Sequence, residues 1–224
     1  MKILYSFLLL PFFSCAFSVD SMIKFSGEDD FFLVNGNSKE REYIYVTLSE
    51  LISEKNNRRD EIFYNADNVP LWPISAEPTD IIISSGEQVK IKINKNYTPV
   101  GGDRIFGINF SPDTLNDNDR NQYNIPFGYK AWLIVPGTES ESGTVDVSKV
   151  SEKNKYIIKN NTNKVMDVWA DYCGSYNNNK CRVQLITRPY SEKKIEIDSN
   201  NNPIEFTFSI YIGRERKLIK RKIL

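Results

Sequence analysis

The stretch that decides the fold is YNIPFGYKAWLIVP, residues 123–136, an apolar strand segment whose single charge is Lys130. A second strand segment, DRIFGINFSPD (residues 103–113), precedes it across the polar loop LNDNDRNQ (residues 115–122). An exposed strand this apolar promotes aggregation unless another strand is meant to pair with it. The segment is therefore the best guide to function in this sequence.

The composition excludes several classes of function. The chain has 224 residues, of which 40% are hydrophobic, enough for one large domain or two ordinary ones. Its 29 basic and 29 acidic side chains cancel, so nothing predicts binding to nucleic acid. It contains 0 histidines, which excludes histidine-based triads and removes the commonest zinc ligand. We expect no enzyme, metal or cofactor, although paired carboxylates of a glycosidase type remain an alternative.

Residues 1–18 have the pattern of a secretory signal peptide. Lys2 is followed by the apolar run ILYSFLLLPFF, and Ala16-Phe17-Ser18 offers a small-x-small cleavage site, with cutting expected after Ser18. The run is too short to span a membrane, so no membrane insertion is predicted. A lipoprotein processing site at Ser14-Cys15 is the alternative. The mature protein is therefore expected to be exported.

Two cysteines, Cys173 and Cys181, remain after the leader is removed. An even number of cysteines in an exported chain favours a disulfide bond, here one that closes a short hairpin loop. Two buried thiols are the alternative.

The mature chain is a succession of short apolar segments separated by Gly, Pro, Asn and Asp clusters, the pattern of an antiparallel β-sandwich. Only LSELISEK, residues 48–55, has a locally helical pattern, and it reads equally well as a strand end. Pro136-Gly137 and the following TESESG mark an inter-domain linker. We therefore predict an all-β protein with an N-terminal domain at residues 19–137 and a smaller C-terminal domain at residues 138–224.

The segments DRIFGINFSPD and IPFGYKAWLIVPG resemble the F1–G1 region of the periplasmic pilus chaperones. In that family an acidic/basic pair opens strand F1 and the strand ends in proline, as at Asp103-Arg104 and Pro112 here. Strand G1 carries a basic residue before a closing proline, as at Lys130 and Pro136. EPTDIIISSGEQVKIKI and the N-terminal MIKFSGEDDFFLVNGNSKEREYIYV resemble earlier strands of the same domain.

The resemblance has departures. Family members often have arginine in the first strand where this chain has Lys24, and the ending VPG lacks the commoner basic residue. The second-domain segment CGSYNNNKC has no counterpart. These features indicate the divergent branch that serves alternate chaperone–usher pili.

The resemblance implies two immunoglobulin-like domains in an L-shaped arrangement with an inter-domain cleft. It implies a periplasmic chaperone that lends strand G1 to pilin subunits, which lack one strand, and delivers them to an outer-membrane usher. Because side chains at i, i+2 and i+4 share one face of a strand, Tyr123, Ile125 and Phe127 are the expected donor-strand plug. The competing interpretation makes them core residues of the chain's own domain.

By the same resemblance, Lys24 and Lys130 hold the pilin's C-terminal carboxylate in the cleft, through charge-assisted hydrogen bonds. Two solvated lysines are the plainer interpretation. Asp103 and Arg104 are expected to form a structural ion pair, either in a turn or between domains. A free chaperone with an uncovered G1 edge would also cap itself as a dimer.

A fimbrial structural subunit or adhesin is the alternative function, since it too is a secreted β-sandwich. Such a subunit needs an N-terminal extension of alternating apolar residues to donate, and VDSMIKF (residues 19–25) is short for that purpose.

Overall fold

A computed structural model describes residues 17–37, 41–53, 59–113, 127–150, 154–173, 181–199, 202–213 and 215–224. In these ranges the chain forms 17 β-strands and one short 3-10 helix, Ala66–Leu71, so the all-β prediction is confirmed. The strands fall into four sheets, two in each half of the chain.

Ten strands build the first domain: β1 (Ser18–Val19), β2 (Ile23–Phe25), β3 (Asp30–Asn35), β4 (Glu42–Ser53), β5 (Arg59–Phe63), β6 (Ile74–Glu77), β7 (Asp80–Ile83), β8 (Gln88–Lys95), β9 (Arg104–Pro112) and β10 (Tyr129–Val135). One sheet has the order β1-β3-β8-β6 and the other β2-β10-β9-β4-β5, with β7 added to β4. All pairs are antiparallel except β10 with β2, which are parallel.

Seven strands build the second domain: β11 (Val145–Lys149), β12 (Lys155–Asn160), β13 (Met166–Asp171), β14 (Arg182–Thr187), β15 (Ser191–Glu196), β16 (Glu205–Ile212) and β17 (Glu215–Ile223). They form the sheets β11-β12-β15 and β14-β13-β16-β17.

Each pair of sheets encloses its own hydrophobic core, because side chains alternate along the strands and one apolar face of each sheet points inward. In the first domain the fully buried residues include Phe106, Ile108 and Phe110 of β9. In the second domain they include Phe206 and Phe208 of β16. In sequence, the first core ends at Val135 and the second begins at Val145. The residues between them, 136–144, contain the predicted linker.

The segment at residues 48–55 is a strand end as far as the structure describes it, since β4 continues to Ser53 and pairs there with β5. The turn at Ser84-Ser85-Gly86 joins strands of different sheets, because β7 pairs with β4 whereas β8 pairs with β3. Gly86 has φ of 80°, a conformation that glycine adopts without steric cost.

The first sandwich begins before the predicted cleavage point. Phe17 is 1% exposed and belongs to the first core, and Ser18 pairs with Asn35 in β3. Among the described residues, no helix has the length and apolar character needed to cross a membrane.

Candidate functional site

The outer edge of β10 is only partly covered. The Trp132 N–H donates to the Met22 carbonyl at 2.8 Å, and the Ser26 N–H donates to the Ile134 carbonyl at 2.8 Å, so β2 covers this edge from Trp132 onward. Because backbone groups alternate between the two edges of a strand, the N–H and C=O of Lys130 point to the same edge of β10 as those of Trp132 and Ile134. Among the described residues, no strand pairs with that edge before Trp132.

The edge opens because the N-terminal segment changes sheets. Val19 in β1 pairs with Val34 of the opposite sheet, whereas Ile23 in β2 pairs with Trp132 of β10. The chain therefore crosses from one sheet to the other between residues 19 and 23, and β10 loses its neighbour at that point. A strand from another protein can pair with β10 here without displacing a described strand.

We call the side of β10 that carries Lys130, Trp132 and Ile134 the hinge face. Ile134 and Ile105 pack there against Val165 of the second domain. Nearby, the Phe25 ring stacks on the Tyr211 ring of the second domain, with the centroids 3.8 Å apart. The hinge face is thus apolar where the domains meet, and Lys130 lies on the same face further along β10.

Lys130 sits in a pocket of side chains from β4, β5 and β10. Its Nζ donates to the Glu61 carboxylate and lies 5.2 Å from the Phe63 ring centroid and 5.1 Å from that of Trp132. The Lys130 side chain retains 31% exposure and Glu61 retains 24%. Ser49 lies nearby on β4, and its hydroxyl donates to the Gly107 carbonyl at 3.4 Å. The group that binds the ammonium is therefore the Glu61 carboxylate.

Gly107 on β9 makes this arrangement possible. A Cβ at this position would lie 2.3 Å from Ser49 Oγ, 3.2 Å from the Trp132 ring and 3.4 Å from the Lys130 side chain. The absence of a side chain lets Lys130 cross β9 and reach β5. Burial alone would raise the pKa of Glu61, but the hydrogen bond and charge of Lys130, with the neighbouring Ser49 hydroxyl, outweigh it and lower that pKa below its ordinary value.

The structure does not bring Lys24 and Lys130 together. Lys24 is in register with Leu133, whose side chain lies in the core, so Lys24 is on the opposite side of the sheet from the hinge face. Its Nζ donates to Asp20 at 2.6 Å and to the Phe31 carbonyl at 2.7 Å. The sequence alone does not predict the face on which Lys24 lies, because a one-residue change in register moves every side chain of a strand to the other face of the sheet.

Asp103 and Arg104 do not pair with each other, which corrects one expectation. Successive residues of a strand point to opposite faces, and each finds a different partner. Arg104 makes a bidentate contact with Glu50, with both N–O distances 2.6 Å. Asp103 instead accepts from Lys164 Nζ at 3.1 Å.

The Arg104–Glu50 pair lies beside two tyrosines. The Tyr64 hydroxyl donates to Glu50 at 2.9 Å, and the Arg104 guanidinium lies 4.5 Å from the Tyr97 ring centroid. Burial, opposed by the Arg104 charge, raises the pKa of Tyr97 to about 12. These contacts close one end of the first core and take no part in the hinge face.

Two of the three predicted plug residues, Tyr123 and Ile125, lie outside the described residues. Phe127 is described and is 60% exposed, just before β10 begins. Its side chain is thus available for contact with another protein. The plug assignment stays a prediction.

The predicted disulfide is present. Cys173 and Cys181 are joined, with their Cα atoms 4.9 Å apart, and they link the end of β13 to the start of β14. Within the described ranges, no cluster of three or more Cys, Asp or Glu side chains has a geometry that could hold a metal ion.

Sequence reasoning missed Ser49, Glu61 and Gly107. None belongs to a recognisable motif. Ser49 lies 58 positions from Gly107, and Glu61 lies 69 positions from Lys130. Only the pairing of β4, β5, β9 and β10 brings them together.

Comparison with protein families gives one match. A family profile described as the CS5 fimbrial protein N-terminal domain matches residues 19–136, more than half of the 224 residues. The matched part contains β10, the hinge face and the Lys130–Glu61 pair.

Several solved structures share the fold over nearly the whole chain. The class 5 fimbriae chaperone CfaA is 18% identical, with a TM-score of 0.53, covering 92% of this chain and 98% of that one. A chain of the Salmonella enterica SafA pilin–SafB chaperone complex is 11% identical, with a TM-score of 0.53 and coverages of 93% and 95%. A chain of the Acinetobacter baumannii CsuC–CsuE chaperone–subunit complex is 14% identical, with a TM-score of 0.51 and coverages of 91% and 97%.

These comparisons confirm the resemblance to fimbrial chaperones and the fold of two immunoglobulin-like domains.

Proposed function

The chain belongs to the family of the CS5 fimbrial protein N-terminal domain, and from this membership we propose that it is a periplasmic chaperone for fimbrial subunits. It binds a subunit by adding β10, with the residues just before it, to the subunit's incomplete sandwich, and it delivers the subunit to an outer-membrane usher. The residues proposed to enter the subunit are Tyr123, Ile125 and Phe127.

The open edge of β10 beside Lys130 is the observation that carries the proposal. Backbone groups at this edge supply the hydrogen bonds of an added strand, which is the main source of affinity in strand addition. Lys130 supplies a cation next to that edge, suited to the terminal carboxylate of the added strand. Solved relatives of the same fold occur in complexes with a pilin and with a tip subunit, which supports a subunit as the partner.

The anchor is proposed for Lys130 and not for Lys24. Lys24 lies on the other side of the sheet and is bound to Asp20 and the Phe31 carbonyl. Lys24 is better suited to stabilise the N-terminal segment where it passes from one sheet to the other. Domain boundaries at residues 19–137 and 138–224, the L-shaped arrangement and a self-capping dimer of the free protein are parts of the same proposal.

A fimbrial subunit is the second candidate, because the family description names a fimbrial protein. The comparisons favour the chaperone, since two-domain chaperones share the fold over 92% of this chain.

Co-expression in the periplasm tests the proposal. A tagged form of this protein is co-expressed with a fimbrial subunit of its own organism, and we expect a one-to-one complex on affinity capture and gel filtration. Lys130→Ala should abolish the complex while circular dichroism shows a folded protein. Lys159→Ala is the matched control, because Lys159 forms an exposed ion pair with Glu192 in the second domain.

Recovery of the wild-type protein alone, despite an expressed subunit, would rule out the chaperone function. A Lys130→Ala protein that captures as much subunit as wild type would rule out the anchor but leave the chaperone function standing.

A further inference from the structure

The N-terminal end of the first sandwich indicates where the leader is removed. Phe17 is 1% exposed and meets the Tyr129 ring edge-on, with the centroids 5.1 Å apart. Ser18 pairs with Asn35, and its hydroxyl accepts from the Asn37 side chain at 3.1 Å. Cutting after Ser18 would remove both residues and leave a phenylalanine-sized hole in the core.

Glu42 supplies a second, independent observation. Its carboxylate accepts a hydrogen bond from the Phe17 backbone N–H. Its other oxygen, Oε2, is buried and has no hydrogen-bond partner among the described residues. A buried carboxylate oxygen without a donor is costly. The Phe17 nitrogen already donates to the same carboxylate.

We propose that the exported chain is cut between Ala16 and Phe17, and that the new α-ammonium group of Phe17 pairs with Glu42. Ser14 and Ala16 are small residues at the two positions that a signal peptidase reads. Water is the co-reactant: the peptide bond from Ala16 to Phe17 breaks, Ala16 gains a carboxylate and Phe17 gains the amine. The ammonium has the donors that Glu42 Oε2 lacks.

The first measurement is the intact mass and N-terminal sequence of the protein purified from periplasm. We expect the chain to begin at Phe17. A chain that begins at Val19, or one that retains the leader, overturns the proposal.

The second measurement tests the pairing with Glu42. An amine-reactive reagent labels the Phe17 α-amine, and the labelled N-terminal peptide is quantified by mass spectrometry over time. Pairing slows the reaction, so Glu42→Gln should speed labelling several-fold, whereas the exposed control Glu28→Gln should not. Equal rates in wild type and Glu42→Gln overturn the pairing, whatever the cleavage point.

A second inference concerns Glu61 and rests on the proposed function. The Glu61 carboxylate already occupies the place beside Lys130 that a subunit's terminal carboxylate would take, and it accepts from Lys130. Among the described strands, β5 is the last of its sheet and pairs with the end of β4. Glu61 therefore stands on an edge strand, where its side chain can turn away without disturbing the core.

We infer that Glu61 is an internal substitute for the subunit's carboxylate, holding Lys130 in place until the subunit displaces it. Without Glu61, Lys130 would lie beside the Phe63 and Trp132 rings with no counter-charge among the contacts described for it. The exchange replaces one ammonium–carboxylate pair with another. Subunit binding therefore competes with Glu61.

The test measures the affinity of a refolding subunit for chaperone variants by titration and gel filtration. Because an exchanged, partly exposed ion pair contributes little, we expect Glu61→Gln to tighten subunit binding about two- to five-fold. Glu192→Gln removes the exposed pair with Lys159 and should leave affinity unchanged.

The outcomes separate this inference from the chaperone function. If wild type binds the subunit and Glu61→Gln binds equally or more weakly, Glu61 is not a competitor, but the chaperone function stands. If wild type binds no subunit, both are overturned.

Discussion

Lys164 Nζ lies 3.1 Å from Asp103 Oδ1, and this pair joins the two domains through side chains that are only 4% and 2% exposed. Asp103 also accepts from the backbone N–H groups of Gly137, at 3.0 Å, and Val165, at 2.8 Å. Lys164 donates in turn to the Gly137 carbonyl at 2.6 Å. Every charge in the pair is met by further hydrogen bonds, as a buried pair requires.

Removing one partner of this pair should be strongly destabilising. Asp103→Asn leaves Lys164 buried without a counter-charge, so we expect the free energy of unfolding to fall by about 3–5 kcal/mol in urea titrations. The exposed Lys159–Glu192 pair is the control, and Glu192→Gln should cost no more than about 1 kcal/mol. A similar small loss in both variants would show that the buried pair does not hold the domains together.

The Phe25–Tyr211 stack should couple the domains energetically. The ring centroids are 3.8 Å apart, and stacked aromatic pairs contribute about 0.5–1.5 kcal/mol beyond the area they bury. A double-mutant cycle with Phe25→Leu and Tyr211→Leu should return a coupling energy in that range by urea unfolding. The T-shaped Phe32–Phe110 pair within the first core serves as the comparison. Additive effects of Phe25→Leu and Tyr211→Leu would contradict a stack that persists in solution.

Asp146 pairs with lysines of the other sheet of the second domain, and this contact should add stability that is lost in acid. Hydrogen bonds from Lys220, at 2.9 Å, and Lys222, at 3.0 Å, hold the pKa of Asp146 at about 2, below its ordinary 3.8. A lowered carboxyl pKa gives stability that is complete above the ordinary value and is lost as the pH falls through about 2. Because Asp146 is half exposed, we expect the contribution to stay below about 1 kcal/mol.

Urea unfolding of Asp146→Asn as a function of pH measures this contribution. The variant should be less stable than wild type at neutral pH, and the difference should shrink as the pH falls from about 4 to about 2. Asp29→Asn, at an exposed position of the first domain, controls for the change in net charge. A difference that stays constant over this range would contradict the linkage.

The Cys173–Cys181 disulfide should stabilise the second domain. It closes a short loop with a sequence separation of 8, for which restriction of the unfolded chain gives about 2–3 kcal/mol. Replacing both cysteines by serine should lower the free energy of unfolding by about that amount, and a reducing agent should affect only the wild type. If the double serine variant is as stable as wild type, the disulfide bond does not contribute to the stability of the second domain.

Much of the fold is readable from the sequence because strand patterning is local. Alternation of apolar residues in QVKIKINK predicts β8 with Ile91 and Ile93 inward, and both are buried. The same reasoning finds the strand at β10. The domain break after Pro136 and the cleavage after Ser18 stay predictions, although the burial of Phe17 in the first core bears on the cleavage point.

Only part of the candidate site could be predicted from the sequence. Lys130 stands out as the single charge in an apolar strand, so its position needs no tertiary information. Its partner Glu61 is 69 residues away on an edge strand, and no local pattern distinguishes it from the other acids. The partners of Asp103 and Arg104 were equally hidden, because neighbouring residues of a strand face opposite ways.

The sequence by itself predicted that the chain is all-β, that it has two domains, and that Cys173 and Cys181 pair. Each of these depends on composition, on counting or on a period of two along a single strand. Only the tertiary structure decided which strands are neighbours, in which register, and where the edge of β10 is left open. Lys24 and Lys130 illustrate the difference, since the register of β2 against β10 puts them on opposite faces, and register is set by contacts between strands distant in sequence.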